Sequence, residues 1–221
     1  MSSSQSKVTY SNNQEYKLVR IEDGNLDAAK EAFLRSFHYQ YKQYDPVKDL
    51  GLEPIEGTPS NDKAKDDRQI LELFLQIAFS EETGRFDNIV QNGQKDGGQT
   101  IEYFFQVESR RHPPAAPGED EDSSVVGYAS IQCEPLKNHC YIHQLGVSPE
   151  HWGHGVGRKL VFALKESGYH PDLSSISILT RRINQEGIDF YKHIGFEEVS
   201  LQATQDSFLD FTKYIQLKWE E

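Results

Sequence analysis

The sequence has few cysteines, no long apolar run and no excess of positive charge. Two of its 221 residues are cysteine, too few for a disulfide framework to carry the fold. Its apolar runs fall short of the roughly 20 residues that a membrane span needs, and its serine-rich start lacks the apolar core of a signal peptide. These absences predict a cytoplasmic protein that does not enter a membrane.

The charge balance is strongly acidic. Lysine and arginine total 23 against 35 aspartate and glutamate residues, which gives a formal net charge of −12. Because a nucleic-acid ligand needs a concentrated basic surface, no such partner is predicted. An acidic protein raises the local concentration of cations instead, so amines are favoured as substrates.

The two cysteines, Cys133 and Cys140, flank a short polar segment that is typical of a hairpin loop. They are predicted to face each other across two strands as reduced thiols. His139 and His143 add metal-capable nitrogens nearby. Adjacent His139 and Cys140 point to opposite faces of a strand, however, and the spacing fits no standard zinc finger. No metal site is therefore predicted.

The most informative segment is 147–160, which passes from an apolar strand through a glycine-rich turn into an amphipathic helix. Gly153, Gly155 and Gly157 let backbone N–H groups turn toward one point without interference from a Cβ atom. The helix that begins near Val156 adds its own free N–H groups and the positive end of its dipole. The turn therefore predicts a site for an anionic cofactor that carries phosphate.

Two common phosphate motifs do not fit this turn. A P-loop needs a lysine and a hydroxyl residue after its last glycine, and a dinucleotide fingerprint needs a glycine where Arg158 or Leu160 stands. The run 152–157 resembles instead the Gln/Arg-x-x-Gly-x-Gly/Ala motif of the GNAT superfamily of N-acetyltransferases, with Trp152 in place of Gln or Arg. In that family the turn binds the pyrophosphate of acetyl-coenzyme A, mainly through its backbone.

A second motif follows in the order that the family has. Segment 184–196 resembles the family's Asn-x-x-Ala-x-x-Phe-Tyr-x-x-x-Gly-Phe, with Gly187 in place of the alanine. Asn184 and Tyr191 lie about two helical turns apart and so project from one face. The resemblance implies that Asn184 bonds the pantetheine arm and that Tyr191 is the general acid beside the thioester sulfur. The alternative for Tyr191 is an aromatic side chain packed on the sheet.

The resemblance also implies the fold and the cofactor. The fold is α/β, a mixed central sheet of about six or seven strands flanked by helices, with a splayed central strand pair that binds acyl-CoA. Acetyl-CoA is the implied cosubstrate. Gly146 is expected to ease a bulge in the splayed strand. The implied cofactor-binding residues are Leu145, Gly146, Val147, Trp152, Gly153, His154, Gly155, Val156, Gly157, Arg158, Asn184 and Tyr191.

Acetyl transfer to an amine also needs a proton acceptor. His143 lies on the strand four residues before Val147, where family members often carry Glu, Asp or His, and an unperturbed imidazole is a competent base near pH 7. Tyr141, two residues earlier on the same strand face, is the second candidate. The alternative for His143 is a hydrogen-bonded structural histidine.

The chain is predicted to form a flexible tail over 1–14 and a single domain over 15–221. Helices are predicted over 26–44 and 62–80, where apolar residues recur at helical spacing, and the resemblance implies that they select the acceptor. Two further segments are predicted to be loops: the polar insertion 80–99, which contains Glu81, Glu82 and Asp87, and the mobile acidic loop 108–123.

The predicted function is direct transfer of the acetyl group of acetyl-CoA to a primary amine. The acceptor is a small amine, a polyamine, or the lysine or N-terminal amine of a peptide, because no motif distinguishes them. One alternative is a non-catalytic acyl-CoA-binding module that acts through protein partners. Another is an acyltransferase that uses a longer acyl-CoA. The protein is expected to be a monomer or a homodimer.

Overall fold

The computed structural model of the chain describes residues 9–10, 14–21, 26–52, 63–92, 100–111, 123–200 and 212–221. Most of the predicted tail and residues 112–122 of the predicted acidic loop lie outside the described residues. The ends of both segments are strands rather than tail or loop: Thr9–Tyr10 and Gln14 pair in the sheet, and so do residues 108–111 and 123.

One mixed sheet forms the centre of the fold. Its strands are β1 (Thr9–Tyr10), β2 (Gln14–Arg20), β3 (Ile101–Arg111), β4 (Ser123–Glu134), β5 (His139–Val147), β6 (Ser175–Arg181), β7 (Glu197–Val199) and β8 (Tyr214–Glu220). In space they lie in the order β1-β2-β3-β4-β5-β6-β8-β7, and β5 and β6 are the parallel neighbours among them. Without the two-residue β1, the described sheet has seven strands, as predicted.

Five helices flank the sheet in the described part of the chain: α1 (Asp27–Tyr41), α2 (Lys63–Asn92), α3 (Val156–Val161), α4 (Ala163–Glu166) and α5 (Gln185–His193). α1 forms because Ala29, Ala32, Phe33 and Ser36 recur every three or four residues and are buried together. None of the described helices is apolar enough over a sufficient length to span a bilayer.

Helix α2 corrects the sequence-based prediction. Residues 80–92 belong to one continuous 30-residue helix instead of a solvated loop. Phe79, Glu82 and Phe86 continue its buried face at helical spacing. The sequence pattern was misleading because Glu82 is charged and Gly84 is a poor helix former. Phe79 and Phe86 become buried only against α1 and the sheet.

The sheet separates two apolar layers. Phe105 and Ile142 face α3, α4 and α5, together with Leu160 of α3. Phe104, the neighbour of Phe105, faces the opposite way and packs with Phe33 of α1. This alternation is the two-residue period of a strand covered on both faces. Each fully buried side chain of this size contributes about 1.5–3 kcal/mol, so both helical layers are anchored to the sheet.

The hairpin between β4 and β5 brings the two cysteines together as predicted. Cys133 and Cys140 are cross-strand partners, and both are buried free thiols that are not joined by a disulfide. The Cys140 thiol donates to Cys133 Sγ at 2.7 Å. The turn is completed by Asn138, whose φ of 48° is in the left-handed region that asparagine tolerates.

Strands β5 and β6 are partners over only part of their length. Their paired positions run from His139 and Ser175 to Ile142 and Ile178. β5 then continues to Val147 and β6 to Arg181 without pairing with each other. The central strands therefore diverge, as the resemblance implied, and one side of β5 is left with open backbone groups.

Candidate active site

A cavity of about 480 Å³ opens where β5 and β6 diverge. The end of β5, the glycine-rich turn, the first turn of α3 and the length of α5 surround it, with one side formed by α1. Its lining residues are Ser36, Gln40, Leu145, Val147, His151, Trp152, Gly153, Gly155, Val156, Gly157, Arg158, Asn184, Glu186, Gly187, Phe190, Tyr191, His193 and Ile194. Every residue predicted to bind the cofactor is among them except Gly146 and His154.

The glycines of the turn have two different structural roles. Gly153 and Gly155 both have a φ of +77°, a left-handed conformation that residues with a Cβ rarely adopt. Gly157 is needed for packing instead, because a Cβ there would lie 2.8 Å from Phe190 Cζ. The first two glycines therefore shape the turn, and the third lets α3 approach α5.

The start of α3 presents backbone donors to the cavity. Gly155 is its N-cap, and the first intrahelical bond runs from the Lys159 N–H to the Gly155 carbonyl at 3.0 Å. The N–H groups of residues 156–158 therefore have no acceptor within the helix, and these residues line the cavity. With the Arg158 side chain beside them, they suit a phosphate group.

Trp152 connects the turn to β5. Its indole N–H donates to the Val147 carbonyl at 2.7 Å, and its ring meets that of Tyr39 edge-on at 5.3 Å between centroids. The side chain remains 38% exposed. The indole therefore holds the turn against the end of β5 in the position where the resembling family has Gln or Arg.

The open side of β5 differs in detail from the prediction. The Val147 N–H donates to Ser36 Oγ at 3.2 Å, so it is not free. Because successive N–H groups of a strand alternate, Leu145 shares this side, whereas Gly146 faces β4 and pairs opposite Tyr128. The open backbone donor is thus that of Leu145, and the Ser36 hydroxyl stands beside it in the cavity wall.

Gly146 does not ease a bulge, contrary to the prediction. The irregularity in β5 is at His143, which has no partner between the pairs Ser130–Gln144 and Ile131–Ile142. At Gly146 a Cβ would lie 3.2 Å from Ser36 Cβ, so the glycine permits α1 to approach the sheet closely.

Asn184 caps α5 from inside the cavity wall. Its Oδ1 accepts the Gly187 N–H at 2.8 Å, and its Nδ2 donates to Thr180 Oγ1 at 2.9 Å. A Cβ on Gly187 would lie 2.5 Å from Asn184 Nδ2, which explains the glycine where the family motif has alanine. The second Nδ2 hydrogen is not used by the Thr180 bond, and Asn184 is one of the residues that line the cavity.

Tyr191 lies in the cavity wall and in the apolar layer at once. Its side chain is 4% exposed and packs edge-on against Phe190 and Phe196, with centroid distances of 5.0 and 5.3 Å. Burial raises the pKa of Tyr191 above its ordinary value. The phenol is therefore fully protonated at neutral pH, the form that a general acid requires.

His143 and Tyr141 lie on the other face of the sheet, toward α2. Their rings meet edge-on at 5.0 Å between centroids, while Ile142 between them points into the opposite layer. Burial, together with the cation of Arg85, lowers the pKa of His143 to about 4. The imidazole is thus neutral at pH 7 and able to accept a proton, although it is less basic than an exposed histidine. Burial also raises the pKa of Tyr141.

The lowered pKa of His143 predicts an acid-sensitive contribution to stability. Between pH 6.5 and pH 4 the unfolded chain binds a proton at this residue and the folded chain does not, so stability that is present above pH 6.5 is lost as pH falls. We expect His143→Gln to lose less Tm between pH 7 and pH 4.5 than the wild type, measured by circular dichroism. His193 is exposed, so the control variant His193→Gln should lose as much Tm as the wild type. An equal loss of Tm in the wild type and both variants would contradict this prediction.

His154 is, with Gly146, one of the two predicted cofactor-binding residues that do not line the cavity. Its ring lies 6.1 Å from that of Tyr16, whose hydroxyl is hydrogen bonded to His151 Nδ1 at 3.0 Å.

Sequence reasoning missed Ser36, which completes the cavity from α1. The available signal was a polar residue in an otherwise apolar helical stripe.

The metal-capable residues of the β4–β5 hairpin have other partners. His139 is hydrogen bonded to Ser175 Oγ at 2.9 Å and to Ser177 Oγ at 3.0 Å. Within the described ranges, no three His, Cys, Asp or Glu side chains converge in a way that would hold a metal ion.

Comparison with known proteins adds a family to this geometry. The model of the acetyltransferase (GNAT) family matches residues 75–196, which contain β5, the glycine-rich turn, α3 and the whole of α5. Two curated relatives are thialysine N-ε-acetyltransferases. The one from Mus musculus is 26% identical over 131 residues, covering 58% of this chain and 71% of the relative. The one from Sus scrofa is 27% identical over 128 residues, covering 57% and 69%.

A solved structure shares the fold. The PaiA N-acetyltransferase from Thermoplasma acidophilum, crystallised in complex with coenzyme A, superposes with a TM-score of 0.58. The match covers 93% of this chain and 99% of that chain at 14% sequence identity. At this identity the similarity concerns the arrangement of strands and helices.

Proposed function

Because this chain belongs to the acetyltransferase (GNAT) family, we propose that its cavity holds acetyl-CoA and that the acetyl group passes directly to a primary amine. The enzyme is an acyl-CoA-dependent N-acetyltransferase. The observation that carries the proposal is the divergence of β5 from β6 directly beside the glycine-rich turn. A phosphate site and an open strand edge then lie in one cavity, as a long phosphorylated thioester requires.

The residues of the cavity fit coenzyme A chemically. Backbone N–H groups at 156–158 and the Arg158 side chain would hold the pyrophosphate. Asn184 and the open N–H of Leu145 would hold the pantetheine arm and the thioester carbonyl. Bound acetyl-CoA would supply an acetyl group activated by a thiol leaving group.

The proton transfers are assigned to two residues on opposite faces of the sheet. As the amine nitrogen bonds the carbonyl carbon, it becomes acidic, and neutral His143 accepts its proton directly or through a water. As the C–S bond breaks, the protonated phenol of Tyr191 gives its proton to the thiolate. The products are an N-acetylated amine and free coenzyme A. Tyr141 remains the alternative proton acceptor, although burial raises its pKa and keeps it protonated.

We propose a primary amine at the end of a flexible chain as the acceptor, and lysine-like amines are the first to be screened. Two curated relatives are named for acetylation of the ε-amine of thialysine. The net charge of −12 favours a cationic acceptor over an anionic one. Polyamines and peptide amines complete the screen of acceptors. The preferred acyl donor is identified by comparing turnover with acetyl-, propionyl- and succinyl-CoA.

A thermal shift tests cofactor binding. At a hundredfold excess over its Kd, acetyl-CoA should raise Tm by roughly 5 to 10 °C, because a ligand bound only to the folded state adds about 2.7 kcal/mol. ATP and NAD, which carry pyrophosphate but no pantetheine, should give smaller shifts. Absence of a shift at millimolar acetyl-CoA would refute the proposed cofactor. Release of free thiol in the presence of the amine then measures turnover.

We infer a cytoplasmic location and a monomeric or homodimeric protein. A reducing compartment would keep the neighbouring buried thiols of Cys133 and Cys140, whose sulfurs lie 2.7 Å apart, from forming a disulfide. Size-exclusion chromatography with light scattering measures the oligomeric state.

A further inference from the structure

Two exposed aromatic rings meet at the mouth of the cavity. Trp152, which lines the cavity, is 38% exposed, and Tyr39 of α1, whose ring it meets edge-on, is 42% exposed. Among the Phe, Tyr and Trp side chains that the structure describes, Tyr169 alone is as exposed, and it lies outside the cavity. A pair of large rings left in water at the edge of a ligand cavity indicates that the ligand covers them.

The indole of Trp152 is held in place before any ligand arrives. Its N–H donates to the Val147 carbonyl at 2.7 Å, and the Tyr39 ring lies 5.3 Å away between centroids. This hydrogen bond uses the one polar group of the indole, so the surface left for a ligand is apolar. A planar side chain that is already fixed loses little conformational entropy when a flat group stacks on it. Trp152 is therefore suited to stack against a nucleic-acid base.

A cation stands beside this aromatic pair. Lys42, the C-cap of α1, places its Nζ 4.0 Å from the centroid of the Tyr39 ring. Arg158, on the glycine-rich side of the cavity, is a second exposed cation. In a chain with a net charge of −12, a cation held at these rings attracts an anion locally and repels an ammonium group. The pair therefore suits an aromatic group that carries phosphate better than it suits an amine acceptor.

We propose that this aromatic pair and Lys42 bind the 3′-phosphoadenosine end of acetyl-CoA, with adenine stacked on Trp152 and the 3′-phosphate paired with Lys42. The inference rests on the proposed function, in which the backbone N–H groups of 156–158 hold the pyrophosphate. The pantetheine arm then runs along β5 toward Tyr191, inside the cavity, and the adenosine remains at the mouth, where Trp152 lies.

The consequence is a preference between two classes of acyl donor. A thioester carried on phosphopantetheine attached to a protein has the same arm and a phosphate but no adenine, whereas free acyl-CoA has all three. A stacking site for adenine therefore selects free acyl-CoA. Trp152 is thus a specificity-determining residue, at the position where the family motif has Gln or Arg.

The test compares the Kd of acetyl-CoA with that of acetyl-4′-phosphopantetheine, which ends at the phosphate, by isothermal titration calorimetry. Trp152→Leu should reduce the advantage of acetyl-CoA by roughly 5- to 100-fold, because it removes the stacking surface. Trp152→Phe keeps an aromatic ring and should retain most of that advantage. Both variants lose the indole N–H, so loosening of the turn affects both variants and both ligands alike. An unchanged ratio of Kd values in Trp152→Leu, or equal reductions in the two variants, would overturn the inference.

A second comparison tests the 3′-phosphate. Lys42→Gln should weaken acetyl-CoA by about 2- to 5-fold and leave acetyl-dephospho-CoA, which lacks the 3′-phosphate, unchanged. Lys48→Gln removes the same charge from another exposed position outside the cavity and should bind both ligands like the wild type. Equal weakening of both ligands in Lys42→Gln would refute the pairing of Lys42 with the 3′-phosphate.

Fluorescence gives a test in which Trp152 itself is unchanged, and it decides the matter if Trp152→Leu fails to fold. The chain has two tryptophans, so Trp219→Phe leaves Trp152 as the single emitter. A stacked adenine quenches indole emission, so acetyl-CoA should quench this variant strongly and acetyl-4′-phosphopantetheine should not. Equal quenching by the two ligands at saturation would overturn the inference.

The inference and the proposed function fail differently. If neither thioester binds the wild type, the proposed cofactor is wrong and the adenosine site is refuted with it. If both bind, and their ratio of Kd values is the same in Trp152→Leu as in the wild type, the proposed function stands and the adenosine site alone is refuted.

Discussion

Tyr191→Phe is expected to lower kcat by about 10²-fold or more while the Kd for coenzyme A changes little. The substitution removes only the hydroxyl, and the ring keeps its packing against Phe190 and Phe196. Without the phenolic proton, the thiolate must leave as an anion in a largely buried site, which is unfavourable. Steady-state kinetics measure kcat, and isothermal titration calorimetry measures the Kd.

The control for this substitution is Tyr169→Phe. Tyr169 is 44% exposed and outside the cavity, so its loss of a hydroxyl should leave kcat unchanged. An unchanged kcat in Tyr191→Phe as well would show that Tyr191 is only a packing residue, the alternative that its sequence position left open. A loss of both kcat and coenzyme A binding would point to misfolding, which the Tm detects.

Gly153→Asp is expected to weaken acetyl-CoA binding by about 10- to 100-fold. Aspartate tolerates the left-handed conformation better than most residues, and a Cβ at Gly153 would meet no atom within 4 Å. The new carboxylate would stand beside the proposed pyrophosphate, and repulsion in a partly exposed site is worth about 1.4–2.8 kcal/mol. Calorimetric titration with acetyl-CoA measures the effect.

Two matched variants separate charge from conformation. Gly153→Asn has the same shape without the charge and should lose much less affinity. Gly168→Asp places the same residue at a φ of +78° in open space away from the cavity, and should bind acetyl-CoA like the wild type. Equal losses in Gly153→Asp and Gly153→Asn would mean that the turn does not face phosphate. Higher salt should reduce the difference between them.

The two motifs carried most of the prediction of the site. The glycine turn and the Asn184–Tyr191 pair are local features, because a turn needs glycines at fixed positions and a helix places residues seven apart on one face. The structure brings both motifs to one cavity beside the diverging strands. The comparison with the family confirmed the fold and the class of enzyme.

The errors were made where long-range pairing decides the outcome. The bulge lies at His143 instead of Gly146, since its place depends on the register of β4 against β5. The Val147 N–H is taken by Ser36, more than 100 positions earlier in the chain. Glu82 was predicted to lie in a solvated loop, but it is buried in α2. Its burial is possible because Arg85 pairs with its charge and the Tyr128 hydroxyl donates a hydrogen bond to it.

By itself the sequence determined the family, the glycine-rich turn and the helix that carries Tyr191, because each depends on residues close together in the chain. Only the tertiary structure decided which backbone donors of β5 remain open and that Glu82 is buried with partners for its charge. Those features arise where α1 packs on β5 and α2 on β4, and the free energy of burying a charge or an N–H depends on partners that sequence spacing does not reveal.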